Sequence, residues 1–393
     1  MKNLQQALAQ LHTQGLYRKR KVLQSPQGRE IILDGQRLLN FCSNDYLGLA
    51  NHEKVKKAFI AAAQQYGAGS GAAHLVNGHS KAHHALEEEL ADFCGMPRTL
   101  LFSTGYMANL GLAQSLFTQS ENQSAKNNYI LQDRLNHASL IDAASISASK
   151  LMRYLHRDYN SLESKFGRCV GTGNTGEVLV SSDAVFSMDG DEADIATMMN
   201  HCATHKAWLM LDDAHGFGVL GEKGCGSLNH QHITANDSTI YMATLGKALG
   251  TAGAFIAGSE DLIEYLVQTA RCYIYTTAMP PAVAEATRAS LKLLSTENWR
   301  QQTLHQNIAY FKALASQAEL NVLSSSTAIQ PVMVGSAQKA LDISQQLLRK
   351  GLHVAAIRPP TVPDNTARLR ITLRADHSRE DIEQLVSMVK YCM

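Results

Sequence analysis

Trp208-Leu209-Met210-Leu211 runs directly into Asp212-Asp213-Ala214-His215-Gly216, and a second apolar run, Ile240-Tyr241-Met242-Ala243, runs into Thr244-Leu245-Gly246-Lys247-Ala248-Leu249-Gly250. Each run is short enough for a buried parallel strand. A polar group released at the end of such a strand lies where open α/β sheets bind ligands. A carboxylate able to pair with a pyridinium nitrogen and a lysine able to form a Schiff base are what pyridoxal phosphate takes from a protein. Either string alone suits an ordinary turn. Their occurrence together, in this order, predicts a pyridoxal phosphate enzyme with Asp212 at the ring nitrogen and Lys247 carrying the cofactor. An ionised Asp212 favours the protonated ring nitrogen, each pKa unit of that shift being worth about 1.4 kcal/mol. His215 is spaced to hydrogen-bond the ring hydroxyl.

Outward from these strings the chain alternates. Strands are expected at Thr99–Phe102, Tyr129–Leu131, Val178–Val180, Leu209–Leu211, Ile240–Ala243 and Ala254–Ile256, separated by helices such as Ala82–Phe93 and Ser139–Ser147. That alternation implies βαβ units and a largely parallel sheet. Before it come a helix from Leu4 to about Leu16 and two short strands, Glu30–Leu33 and Leu38–Phe41. After Pro280-Pro281 two helices precede a smaller strand set at Gln330–Val334, His353–Ala356 and Leu369–Leu373, and the last helix opens on the capping pattern Ser378-Arg379-Glu380-Asp381. The expected organisation is an N-terminal segment over 1–50, a large α/β cofactor-binding domain over 51–285, and a smaller α+β domain over 286–393.

The 393 residues are 45% hydrophobic and 18% charged, with a formal net charge of +1. That balance gives no electrostatic case for nucleic acid or an anionic membrane. Arg18-Lys19-Arg20-Lys21 reads as a solvated helix end. No stretch has the apolar length of a membrane helix. Seven scattered cysteines without a Cys-x-x-Cys pair argue against a disulfide framework or zinc knuckle and fit a cytoplasmic protein.

Other motifs each have a plain reading beside a chemical one. Ser103-Thr104-Gly105-Tyr106, between strand and helix, is either a turn or a phosphate cradle of backbone amides. His137 either caps a helix or stacks on a flat ring, and Ser187 is a strand-end donor of the same sort. Arg358, Arg368 and Arg370 are either surface ion-pair formers or carboxylate clamps. Gly171-Thr172-Gly173-Asn174-Thr175-Gly176 matches a dinucleotide fingerprint literally but precedes a strand instead of succeeding one, so it reads as a connection. His201 and His205 lack a third nearby metal ligand and read as helix surface, and no metal site is expected. Glu87-Glu88-Glu89 reads as a solvated helix face.

Ser43-Asn44-Asp45-Tyr46-Leu47-Gly48-Leu49, Asn136-His137-Ala138-Ser139, Val185-Phe186-Ser187-Met188-Asp189-Gly190, Asp212-Asp213-Ala214-His215-Gly216 and Gly246-Lys247 together resemble the α-oxoamine synthases. These are fold type I pyridoxal phosphate transferases, with a large domain on a mostly parallel seven-stranded sheet, that condense an amino acid with an acyl thioester. The resemblance implies Lys247 as the Schiff-base lysine, Asp212 at the ring nitrogen, His215 and Ser187 at the ring hydroxyl, and His137 stacked on the ring and touching substrate. It places Gly105, Tyr106 and Thr244 at the phosphate, joined by Thr276 and Thr277 from a neighbouring subunit, so that a homodimer shares its sites. It assigns Arg18, Asn44, Arg358, Thr361 and Arg370 to substrate. The run Ala356 to Pro363 with Ala367 to Arg370 is most similar to the branch using L-alanine and a pimeloyl thioester. Glycine-using members and fold type I aminotransferases are the alternatives. Phe217, Leu245, the pair Asp183-Ala184, and His74 depart from the pattern.

Overall fold

Strands β1 (Glu30–Leu33) and β2 (Gln36–Asn40) form a hairpin whose turn runs through Asp34 and Gly35, both at positive φ. The computed structural model describes residues 3–13, 16–117, 128–170 and 176–393. The first helix, Leu4–Thr13, buries none of its residues. Arg18-Lys19-Arg20-Lys21 lies beyond it in exposed chain without regular structure and is not a helix end. The glycine fingerprint falls outside the described residues except for Gly176, which precedes a strand.

The central sheet has seven strands: β3 (Arg98–Phe102), β4 (Tyr129–Asp133), β5 (Lys150–Tyr154), β6 (Val178–Asp183), β7 (Trp208–Asp212), β8 (Thr239–Thr244) and β9 (Ala254–Gly258). Their spatial order is β3-β9-β8-β7-β6-β4-β5. Five neighbours from β8 to β5 run parallel, and β9 is antiparallel to both β8 and β3. Of the parallel strands, β4, β6, β7 and β8 are almost wholly buried because helices cover both faces. β5, at the sheet edge, carries Lys150 and Arg153 among its five residues, so no apolar run marks it.

Past helices Pro281–Thr296 and Trp299–Gln317 the chain adds β10 (Ile329–Gly335), β11 (Leu352–His353), β12 (Ala355–Ile357) and β13 (Ala367–Thr372). β13 lies between β10 and β12, antiparallel to both, while β11 pairs parallel with β2. The first 50 residues therefore share a sheet with the last third of the chain. Buried Arg374 holds that junction, with Nε and Nη2 each 2.8 Å from Asp376 and Nη1 3.2 Å from Asp45. Asp45 in turn accepts the N–H groups of Leu49 and Ala50.

The acidic triplet is not uniformly solvated. Glu88 is exposed and Glu89 pairs with Arg288, but Glu87 is largely buried and accepts the Leu101 N–H at 2.9 Å. β3 is an edge strand whose outer N–H has no strand to bond, and the Glu87 carboxylate supplies the acceptor. Burial pushes that carboxyl up to about 7.

Candidate active site

β7 delivers two adjacent aspartates to opposite sides of the chain. Asp213 is fully buried and saturated: it accepts from the Ser227 N–H at 2.7 Å, the Ser227 hydroxyl at 2.6 Å and the Tyr241 hydroxyl at 2.6 Å. Gly216 is required beside it, since a Cβ there would sit 2.2 Å from Asp213 Oδ1. Asp212 is nearly as buried but holds only the Ala214 N–H at 3.1 Å and the Asn109 amide at 2.9 Å. Of the pair, Asp213 braces the turn and Asp212 keeps acceptor capacity for a ligand.

Lys247 comes after β8 in the tight turn Leu245–Gly250. Burial draws its amine down to about 8; Asp212 and Asp183 oppose the shift and Arg370 adds to it. An amine in that range exists partly as the free base near neutral pH, as carbonyl attack and proton transfer require. His215 is held neutral, well below the ordinary imidazole range, by burial and by the Lys247 and Arg370 charges. Its Nδ1 lies 2.6 Å from the Tyr46 hydroxyl.

His137 caps helix Ala138–Ile146 with an exposed ring, so the capping and platform readings are compatible. Its N–H donates to Asp183 at 2.7 Å, and its Nδ1 is 2.7 Å from the Ser139 hydroxyl. That hydroxyl accepts from Asn109 Nδ2 at 2.8 Å, and the same amide nitrogen donates to Asp212. His137 and Asp212 are thus joined through Ser139 and Asn109. The sequence gives no site role to Asn109, Asp183 or Tyr46. Asn109 stands four residues after Gly105 in the otherwise apolar run Met107 to Ala113, the one signal that could have found it.

Gly105 starts helix Gly105–Leu116, with the Thr104 hydroxyl capping Met107. A Cβ on Gly105 would come within 2.7 Å of Thr244 Cγ2, so the helix start and the end of β8 converge on one small space. Tyr106 bonds Asp142 through its hydroxyl, and its ring is exposed. No hydrogen bond or ion pair among the described residues ties Thr276 or Thr277 to this cluster. Thr277 is exposed and bridges to Ala73.

Arg370 is buried on β13 and reaches across to the large sheet. Its Nε donates to the Ser187 carbonyl at 2.7 Å, and Nη1 and Nη2 meet Asn44 Oδ1 at 3.3 and 3.2 Å. Ser187, Asn44 and Arg370 are therefore brought together. Arg368 is committed to an ion pair with Asp189. Arg18 is exposed, and Arg358 and Thr361 share a surface turn through the Thr361 N–H. No hydrogen bond or ion pair among the described residues ties Arg18, Arg358 or Thr361 to the Lys247 cluster.

His201 and His205 do have a third polar neighbour: Glu163, from helix Tyr159–Val170, lies 2.7 Å from one and 3.0 Å from the other. The spacing within one helix could not reveal it, because Glu163 comes from the adjacent helix. Phe217 and Leu245 are core residues, Phe217 packing edge-on to Phe93 and Phe255.

These residues fit pyridoxal phosphate: a strand-end carboxylate with spare acceptor capacity, a buried amine near neutrality, and a helix start too tight for a side chain. The fold and this pairing define the class, fold type I pyridoxal-phosphate-dependent enzymes. The family model described as aminotransferase class I and II matches residues 36–389. Serine palmitoyltransferase from S. paucimobilis, solved with PLP-myriocin, superposes with a TM-score of 0.90 at 26% identity, covering 99% of this chain and 96% of that one. The 8-amino-7-oxononanoate synthase of Francisella tularensis gives a TM-score of 0.77 at 30% identity over 90% of this chain and 97% of its own. The curated 8-amino-7-oxononanoate synthase of Thioalkalivibrio sulfidiphilus is 52% identical over 100% of this chain and 98% of its own length. That of Pseudomonas syringae pv. syringae is also 52% identical, over 96% and 92%. The chain belongs to the 8-amino-7-oxononanoate synthase family.

Proposed function

We propose that this chain condenses L-alanine with a pimeloyl thioester, of coenzyme A or acyl carrier protein, to give 8-amino-7-oxononanoate, carbon dioxide and the free thiol for biotin biosynthesis. The observation carrying this reading is full-length 52% identity to synthases of that name, together with a neutral-range lysine facing a strand-end aspartate. Pyridoxal phosphate, when bound, supplies the electron sink for carbanion chemistry at the amino acid α-carbon.

The chain's residues do the rest. Asp212 would hold the ring nitrogen and favour its protonated form, with Asn109 and Ala214 fixing the carboxylate. His215, oriented by Tyr46, and Ser187 address the ring hydroxyl. His137 would cover the cofactor ring, and Gly105, Tyr106 and Thr244 would hold its phosphate. Lys247 Nζ would hold the cofactor and, as a base of about neutral range, would take and return the proton at the amino acid α-carbon. Arg370, preset by Ser187 and Asn44, orients the alanine carboxylate, while Arg18, Arg358 and Thr361 serve the acyl end.

The proposed assembly is a cytoplasmic homodimer in which Thr276 and Thr277 complete the partner's phosphate site. Thr277 is exposed, and beside it Leu75, Val76 and Tyr275 are exposed by 51%, 77% and 72%, apolar surface that a second subunit would cover. No disulfide joins cysteines among the described residues, and no helix among them is long and apolar enough to cross a membrane.

Thiol release from pimeloyl-CoA, measured with L-alanine, glycine and L-serine in turn, tests the reading. Turnover fastest with alanine is expected. Faster turnover with acetyl-CoA and glycine would overturn the substrate assignment.

A further inference from the structure

Outside the Lys247 site, residues 74–88 gather four histidines and two glutamates around the start of helix Lys81–Cys94. We propose that His79, His84 and Glu87 form a binding site for a divalent transition metal of the zinc class, bracing the segment that leads to Thr277. One ligand atom from each lies within 4.8 Å of the other two. Two imidazoles and a carboxylate are a zinc donor set that leaves a fourth position open. His84 and Glu87 are spaced i, i+3 and share a helix face, and His79 precedes the Ser80 cap. Tetrahedral zinc needs ligand atoms roughly 3.4 Å apart, given bonds of about 2.0–2.1 Å. Exposed His84 is free to swing inward and close that gap.

Two of the three ligands are already held from behind, as metal ligands usually are. His79 Nδ1 is 3.0 Å from His74 Nδ1, which leaves His79 Nε2 facing Glu87 Oε2 at 3.9 Å. His74 is itself stacked on Tyr273 at 4.8 Å. Glu87 Oε1 is taken by the Leu101 N–H, which aims Oε2 at the site. A cleft of about 560 Å³, lined by His79, His84, Glu87 and Glu88, opens over these atoms with room for a water as fourth ligand. The competing triad of His74, His79 and His83 fails on hydrogen bonding. His83 Nδ1 accepts the Ser80 N–H and its Nε2 reaches the Met279 carbonyl at 2.7 Å, so it has no nitrogen to give.

The site is wired to the 277–279 segment. Ala73 bridges to Thr277, the Ala278 N–H donates to Ala72, and both Ser70 and His83 bond the Met279 carbonyl. A metal linking His79 to helix Lys81–Cys94 would tie the 72–79 segment down at its far end.

The test is calorimetric titration of zinc chloride into the cofactor-loaded enzyme after chelator treatment, with cobalt(II) absorption as the coordination readout. One equivalent per chain is expected, with tetrahedral cobalt bands and a zinc-dependent rise in Tm. H84A and E87Q should each weaken binding at least tenfold and abolish the cobalt bands. The H201A/H205A double variant, which removes the histidines beside Glu163, should bind like wild type. His84 makes a surface contact to Glu88 and an edge-on ring contact to His79, neither in the core, so H84A keeps its fold, as circular dichroism would verify. Undiminished binding in an H84A/E87Q double variant, loss of binding in H201A/H205A, or no binding at millimolar zinc would each overturn the site.

Discussion

Asp212 and Asp213 are chemically identical neighbours whose surroundings assign them different work. Asn in place of Asp213 would remove the charge that three buried donors address, at a cost of about 1–3 kcal/mol. Asp213→Asn should therefore lower the urea midpoint and Tm while surviving protein keeps turnover. Asp212→Asn should fold normally and lose turnover by a factor of about 100 or more, because the ring nitrogen loses its charged partner. Steady-state assays beside thermal melts separate the two outcomes, and their reversal would mean the aspartates are exchanged. Asn109→Leu should fall between them. It keeps the volume but removes the donor bridging Ser139 and Asp212, a charge-assisted bond worth about 1.5–3 kcal/mol, so kcat should drop about 10- to 100-fold with KM for alanine little changed.

The strands β7 and β8 and the groups at their ends were legible because a buried parallel strand leaves an apolar run, and the residues just past its end must lie at the ligand edge. β5 was not, since an edge strand with Lys150 and Arg153 has no such run. Nor was the burial of Glu87, which answers an unpaired edge N–H that only the sheet order reveals. The β2–β11 pairing joins residues more than 300 apart and carries no local signal. One device at this scale is built into the fold itself. His156 bridges the end of β4 and the loop after β6, with Nδ1 and Nε2 each 2.9 Å from Asp133 and Asp191. Burial opposes its charge, but the two carboxylates raise it to about 9. A folded pKa above the unfolded value of about 6.5 contributes fully below that value and is lost as pH rises through about 9. The contribution is at most about 3 kcal/mol. Wild type should lose stability between pH 6.5 and 9 more steeply than His156→Gln, in urea melts at both pH values. Parallel pH dependences would mean that His156 carries no charge in the folded protein.

At the scale of the whole molecule, the lack of any hydrogen bond tying Thr277 to the Lys247 cluster, among the described residues, is the feature that a single chain leaves unexplained. Gly105 and Thr244 converge beside Lys247, whereas Thr277 faces outward on a segment flanked by exposed apolar side chains. If a second subunit covers that surface, each phosphate site is completed by its neighbour's threonines, and loss of Lys247 and loss of Thr277 fall on different sites of a mixed dimer. Lys247→Ala should be inactive. Thr277→Asp, which sets a carboxylate against a phosphate dianion, should retain cofactor poorly and show about 10-fold or lower activity. In a heterodimer of the two, one site carries both defects and the other carries neither. Co-refolding or subunit exchange of the two variants should therefore restore activity up to half that of wild type per heterodimer, and sedimentation should report dimers throughout. Mixtures that stay at the sum of the two variants' own activities, while exchange is verified by differential tagging, would place Thr277 outside the partner's site and leave each chain to bind its cofactor alone.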